Sequence, residues 1–177
     1  MAQRGDAIMG LLMVYNGFNS KGESKYRDDA SPKTVSEYIK DILKTKGLIG
    51  SWAITNIEKA ADEMTALSEA LHKLGGVHLR HFVITLDTDI SPETLFSLAK
   101  SFAFYYGVMH QIIFGIHQST EHDKHKHIHI HFMMNSVSYR TGRKYYGTYG
   151  QFFGFVRYCN DVLREWGIDE EIKYQPK

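Results

Sequence analysis

The sequence predicts an α+β fold in which helices pack on one face of an antiparallel β-sheet. Three observations lead to this prediction. Several short segments alternate apolar and polar residues with the period of two that a strand imposes, most clearly from Ile128 onward. Other segments repeat apolar residues every three or four positions, as amphipathic helices do. Strands and helices alternate along the chain until two strands follow each other directly before the last helix.

The N-terminal half begins with an apolar segment of strand length, residues 7–15, and a long polar loop follows it. Ser31-Pro32 is typical of a helix start, and an apolar stripe over residues 35–43 extends that helix to Gly47. Residues 48–54 are predicted to form a short strand. Residues 57–74 are predicted to form a second helix that ends at Gly75-Gly76.

The C-terminal half continues with residues 78–86, whose alternation predicts a half-buried strand. Ser91-Pro92 starts a third helix, which ends at Gly107, and two strands follow over residues 108–117 and from residue 128. Glycines and tyrosines in residues 138–150 predict a turn or hairpin. An apolar stripe over residues 152–166 predicts the last helix, and we expect an acidic tail after Gly167.

Length and composition favour one domain over residues 1–177, because 43% hydrophobic residues can build a substantial core. The single cysteine, Cys159, excludes an internal disulfide and fits a reducing cytoplasm. We find no signal peptide and no apolar run long enough to span a bilayer, so membrane insertion is not expected.

The net charge of +1 gives no general signature of a nucleic-acid-binding protein. A local cluster of basic residues does give such a signature, because no acidic residue lies between Asp123 and Asp161. Six basic residues lie inside that segment: Lys124, Lys126, Arg140, Arg143, Lys144 and Arg157. This segment is therefore a candidate DNA-binding surface.

The histidine-rich strand is the main chemical signal in the sequence. Its alternation places His127, His129 and His131 on one face. Two residues separated by one other on a strand lie about 7 Å apart, so His129 and His131 are close enough to share a metal ion. His117 ends the preceding strand, and an antiparallel pairing would bring it beside them as a third ligand. The alternative is a solvated histidine-rich loop.

The segments HIHIHFMMNSV and TGRKY resemble the third motif of conjugative relaxases, which belong to the HUH endonucleases. The similarity is greatest to the MOBP branch found in Firmicute elements. It implies that His117, His129 and His131 bind a divalent metal, Mg²⁺ or Mn²⁺ in this family, and that His127 could substitute. Three histidines by themselves would favour zinc or another late transition metal. Ser119 occupies a position where the family often has aspartate.

The resemblance also implies a fold and an activity. The fold would be the palm-like, split βαβ arrangement, with the histidine face of the sheet open to the substrate. The activity would be nicking and rejoining of one strand at an origin of transfer, with accessory relaxosome proteins and a conjugative coupling protein as partners. Such a protein would act in the bacterial cytoplasm and could enter the recipient cell attached to DNA. Relaxases are usually longer, so we expect either a minimal protein or the N-terminal part of a longer one.

A relaxase needs a tyrosine that attacks the phosphodiester and stays joined to the 5′ phosphate. The pattern YI followed by KT in the early helix points to Tyr38, although its place on the apolar stripe would also suit a core residue. Tyr26, in a charged loop, is the second candidate. Related replication initiators and transposases commonly carry the nucleophile after the histidines. That alternative would select among Tyr145, Tyr146, Tyr149 and Tyr158.

DNA contacts are expected from the segment after the histidine strand. Arg140, Arg143 and Lys144 could pair with backbone phosphates, or they could belong to a solvated hairpin. The tyrosines that alternate with glycine, Tyr145 among them, could stack on unpaired bases or could be partly buried.

Four further side chains have weaker predicted roles. Asn135 would hydrogen-bond near the site or to DNA, and His81 could orient a phosphate or a metal ligand, or be structural. Asp87 and Asp123 are possible bases for the tyrosine proton, although either could be a turn or capping residue. The remaining reading is a non-catalytic accessory module that binds DNA or metal.

Overall fold

The computed structural model describes residues 8–15, 33, 35–37, 39, 48–118 and 128–174. Its strands are β1 (Ile8–Tyr15), β2 (Ile49–Trp52), β3 (Leu79–Leu86), β4 (His110–Gln118), β5 (Ile128–Ser138) and β6 (Glu170–Tyr174). Its helices are α1 (Ala60–Ala70), preceded by a 3₁₀ turn at Ile57–Lys59, α2 (Pro92–Gly107) and α3 (Tyr149–Glu165). The described residues among 33–39 are also helical.

The six strands form one open sheet in the order β2-β4-β5-β3-β1-β6. All neighbouring strands are antiparallel except β6, which runs parallel to β1. The predicted α+β class and the predicted pairing of β4 with β5 are confirmed, and the arrangement is consistent with a palm-like fold. The predicted acidic tail is wrong over Glu170–Tyr174, where the chain forms an edge strand instead.

The larger core fills the space between one face of the sheet and helices α2 and α3. Phe82, Phe114 and Phe132 project from three neighbouring strands and are fully buried there. The ring of Tyr106 from α2 stacks on Phe82, with centroids 5.4 Å apart and planes 12° apart. The predicted start of α2 is confirmed, because Ser91 Oγ accepts a hydrogen bond from the Thr94 amide at 3.2 Å.

A second, smaller core lies on the opposite face, where the histidines are. Leu79, Ile113 and Met133 from β3, β4 and β5 are buried beneath Met64 of α1 and Ile39 of the N-terminal helical residues. The prediction that helices pack on one face only is therefore wrong. These three apolar side chains alternate onto the histidine face, and they must be covered to leave water. The histidine face is thus partly covered by α1 and the N-terminal helical residues rather than wholly open.

Asn135 connects the covering helix α1 to strand β5. Its side chain is 1% exposed, and its amide nitrogen donates to the Met64 carbonyl and to Gln111 Oε1, both at 3.0 Å. Its amide oxygen accepts from the Val137 amide at 2.9 Å. Asn135 therefore fixes α1 against β5, and the predicted contact with DNA is corrected to a structural role. Within the described residues, no helix has the length and apolar character that crossing a bilayer requires.

Candidate active site

Strand register gathers four histidines on one face of the sheet. His117 lies directly opposite His129 across the β4–β5 pair, which confirms the predicted placement of His117. Across the β3–β5 pair, His81 lies opposite Met133, next along the same face from His131. The four side chains therefore form a row that crosses β3, β5 and β4.

The histidine rings are close to one another but unequally exposed. The ring centroids of His117 and His129 are 6.3 Å apart, and those of His129 and His131 are 6.2 Å apart. His131 is only 5% exposed, whereas His117 and His129 are half-buried. The row therefore runs from the covered part of the sheet toward its accessible end.

The spacing of the rings allows a test of whether they fit a metal ion. Imidazoles that share one tetrahedral ion have ring centroids about 5 Å apart, because each ligating nitrogen lies about 2.1 Å from the metal. The observed separations of 6.3 and 6.2 Å are about 1 Å wider than this. Among the described residues, no three histidine, cysteine or acidic side chains already surround one point. His117, His129 and His131 could therefore hold a cation after their rings turn toward one another.

Burial keeps the inner part of this row uncharged. Loss of solvent, together with the neighbouring His81, His129 and His117, lowers the pKa of His131 to about 3. Loss of solvent likewise lowers the pKa of His81 to about 4. Neutral imidazole is the form that binds a metal, so His131 meets that requirement at neutral pH.

These lowered pKa values predict that acid destabilises the metal-free protein. The unfolded histidines protonate near pH 6.5, whereas the folded pair stays neutral to about pH 4, so the unfolded state takes up more protons in between. The free energy of unfolding should fall by up to about 4 kcal/mol from pH 7 to pH 5. Urea unfolding in EDTA would measure it, with His81→Gln flattening the pH slope. Equal slopes in the wild type and this variant would contradict the prediction.

A comparison with protein-family models matches residues 38–168 to the relaxase family, described as a MobA/VirD2-like nuclease domain. The chain belongs to the relaxase family. No curated protein and no solved structure matches it. Family membership supports a DNA-nicking function in general terms, and it covers the whole histidine row.

In this relaxase, the predicted nucleophile Tyr38 lies outside the described residues, as do Tyr26, Asp123 and His127. Its sequence neighbours are informative, because Ile39 and Val35 belong to the small core on the histidine face. That core also contains Met133, which lies two residues along β5 from His131 on the same face. The described residues Val35 and Ile39 thus pack over the face that carries the histidines.

The predicted phosphate contacts of the relaxase differ in their availability. Arg140 and Arg143 are exposed in the turn after β5. Lys144 is half-buried, and its ammonium group donates to the backbone carbonyls of Gly75 and Val77, the latter at 3.2 Å. Arg140 and Arg143 are therefore the more available partners for a DNA phosphate, while Lys144 also ties the turn to the loop before β3.

Tyr145 is not available to stack on a DNA base, which corrects that prediction. It is 8% exposed, belongs to the larger core, and its hydroxyl forms a 2.8 Å hydrogen bond with the hydroxyl of Tyr106. Burial raises the pKa of Tyr145 to about 12. The nearby Tyr146 and Tyr149 are 78% and 62% exposed, so their rings are accessible at the surface.

Asp87 follows β3 at the end of the sheet where Thr85 lies opposite His129. Its side chain is exposed, and its amide donates to Glu170 Oε1 at 3.0 Å. Sequence reasoning missed Glu170, a buried carboxyl that holds this corner and whose pKa is raised by loss of solvent. It also missed the direct contact between His81 and His131, because alternation gives the face of a side chain but not its partner.

Proposed function

We propose that this relaxase is a metal-dependent, site- and strand-specific nuclease that nicks DNA at an origin of transfer through a covalent 5′-phosphotyrosine. The nick would begin conjugative transfer of a plasmid or integrative element from the bacterial cytoplasm. One observation carries the proposal: three histidines lie side by side on one face of two adjacent strands, in a chain that matches the relaxase nuclease domain.

His117, His129 and His131 are the residues that would hold the cation. Their imidazole donors suit zinc and other late transition metals, while the family resemblance implies Mg²⁺ or Mn²⁺. A divalent ion bound there would withdraw negative charge from the oxygens of the scissile phosphate. Because all three ligands are neutral, they would leave the full charge of the ion available to the phosphate.

Tyr38 is the proposed nucleophile. Its hydroxyl oxygen would form a bond to phosphorus as the bond from phosphorus to the 3′ oxygen breaks, and the phenol proton would pass to a base. The products are a 5′-phosphotyrosine and a free 3′ hydroxyl. Attack by that hydroxyl restores the strand without external energy, since one phosphodiester is exchanged for another. Asp87 is the base candidate among the described residues.

The rest of the DNA would be held by the basic segment after β5. Arg140 and Arg143 are exposed and would pair with phosphates, and the exposed Tyr146 could stack on an unpaired base. Accessory relaxosome proteins would supply further DNA contacts, and a coupling protein would carry the covalent complex to the transfer machinery.

A nucleophile located after the histidines, as in replication initiators or transposases, is less well supported. The hydroxyl of Tyr145 is bonded inside the core, and Tyr158 donates its hydroxyl proton to the Ser101 carbonyl of α2 at 2.9 Å. Tyr149 packs against Phe153 and Tyr174 at the edge of the helix layer. These contacts lie on the side of the sheet opposite the histidines.

The test is covalent capture of DNA by the purified protein. A pool of random-sequence single strands is incubated with Mn²⁺, and strands that survive denaturation attached to the protein are sequenced. We expect an adduct that identifies the nicking site, at least about 100-fold less adduct in EDTA, and recovery when Mn²⁺ is restored. Undiminished adduct in EDTA would contradict metal dependence. Absence of any adduct would favour the accessory module.

A further inference from the structure

The contact between His81 and His131 joins the proposed metal site to the next strand. His81 Nε2 lies 3.2 Å from His131 Nδ1, with ring planes 27° apart. Both side chains are 5% exposed. Because His81 lies opposite Met133 rather than opposite His131, the contact is diagonal across the strand pair. It therefore depends on the side-chain orientations and not only on the register.

A count of protons limits what this contact can be. In its neutral form, each of the two imidazoles carries one N–H. A hydrogen bond at 3.2 Å requires that one of the two facing nitrogens carries its proton and the other does not. Two arrangements satisfy this condition. In one, His81 donates through Nε2. In the other, His131 donates through Nδ1.

Only the second arrangement suits a metal ligand. If His81 donates, His131 carries its proton on Nε2 and its other nitrogen is occupied by the hydrogen bond. If His131 donates through Nδ1, its Nε2 carries a lone pair that a cation can accept. Metal-binding histidines usually donate their second ring N–H to a neighbouring acceptor, which fixes both the tautomer and the ring orientation.

We propose that His81 is a positioning residue, whose Nε2 accepts the Nδ1 proton of His131 and so reserves His131 Nε2 for the cation. This inference rests on the proposed metal-dependent function. Acidic residues or backbone carbonyls commonly accept this proton in metal sites. Here a second neutral histidine takes that part, so it adds no negative charge to the site. The cation would keep its charge for the phosphate.

A competing role for His81 is that of a fourth ligand. Two nitrogens on one tetrahedral ion are about 3.3 Å apart, which is close to the distance between His81 Nε2 and His131 Nδ1. The two roles predict different substitution patterns. The His81→Gln variant would present an amide oxygen near the position of the native Nε2, so an acceptor role tolerates this substitution, whereas a nitrogen-ligand role does not.

Calorimetric titration with Zn²⁺ separates these roles, because zinc prefers imidazole to an amide oxygen whereas Mn²⁺ accepts either. His81→Leu should weaken Zn²⁺ binding about 10- to 100-fold, and His81→Gln should stay within about threefold of the wild type. Circular dichroism and thermal unfolding would check that both variants fold. Unchanged binding by the leucine variant would overturn the inference. So would a glutamine variant as weak as the leucine variant, since that pattern identifies a ligand.

Tautomer assignment in the unaltered, metal-free protein gives a readout that depends on neither folding of a variant nor nicking activity. Nitrogen-15 NMR of the histidine rings at pH 7.5 should find both His81 and His131 protonated on Nδ1. A His131 proton on Nε2 would overturn the inference. If the wild type binds Mn²⁺ and nicks DNA while the leucine variant behaves identically, the positioning role alone falls. If the wild type does neither, the proposed function falls with it.

Discussion

His129→Ala is expected to reduce nicking at least about 100-fold and to weaken Mn²⁺ binding at least about tenfold. His129 is the central one of the three proposed ligands, since it lies opposite His117 and its ring is 6.2 Å from that of His131. It is half-buried, whereas His131 is 5% exposed, so alanine at position 129 should disturb folding less than alanine at 131. Rates of oligonucleotide cleavage and calorimetric titration would measure the two effects.

The matched control is His78→Ala, which removes a histidine just before β3 that lies outside the row. It should leave cleavage and metal binding within about twofold of the wild type, because His78 is half-buried but lies away from the site. Cleavage by the His129 variant at the wild-type rate would contradict a metal-binding role for the row. It would favour the reading in which the histidines only build structure.

Tyr38→Phe should lower the yield of covalent protein–DNA adduct at least about 1,000-fold, because phenylalanine lacks the oxygen that bonds to phosphorus. DNA binding should change little, since the ring is kept. Denaturing gels would measure the adduct, and a fluorescence-anisotropy titration would measure the affinity for the same strand.

Controls for this prediction come from two other tyrosines. Tyr26→Phe, which removes the second candidate, should leave the adduct yield within about twofold, and so should Tyr149→Phe, which removes an exposed hydroxyl after the histidines. Loss of the adduct in the Tyr26 variant would transfer the role to Tyr26. Persistence of the adduct in all three variants would remove these tyrosines from the chemistry.

Local pattern explains how much of the fold the sequence could predict. The alternation in β3 and β5 and the capping serine of α2 are local signals, and each predicted its element. Strand β6 has only two inward apolar side chains, Ile172 and Tyr174, and it forms by pairing with the distant β1. A parallel pairing of that kind leaves no local signature.

The candidate site, like the fold, was predictable only where a local sequence pattern determines it. Register follows from alternation and the connecting loop, which is why His117 could be placed beside His129. The packing of α1 over the histidine face could not be predicted, because an apolar stripe on a helix does not specify which side of a sheet the helix covers. The burial of Tyr145 depends on its long-range hydrogen bond to Tyr106, which no local pattern records.

The most direct test of the central claim is mass spectrometry of the adduct after digestion with nuclease and trypsin. Cleavage after Lys33 and Lys40 isolates residues 34–40, a peptide with one tyrosine, Tyr38. We expect the nucleotide remnant on this peptide, and only when a divalent metal is present. A remnant on residues 145–157 or 158–164, which contain the alternative candidates Tyr145, Tyr146, Tyr149 and Tyr158, would contradict this expectation.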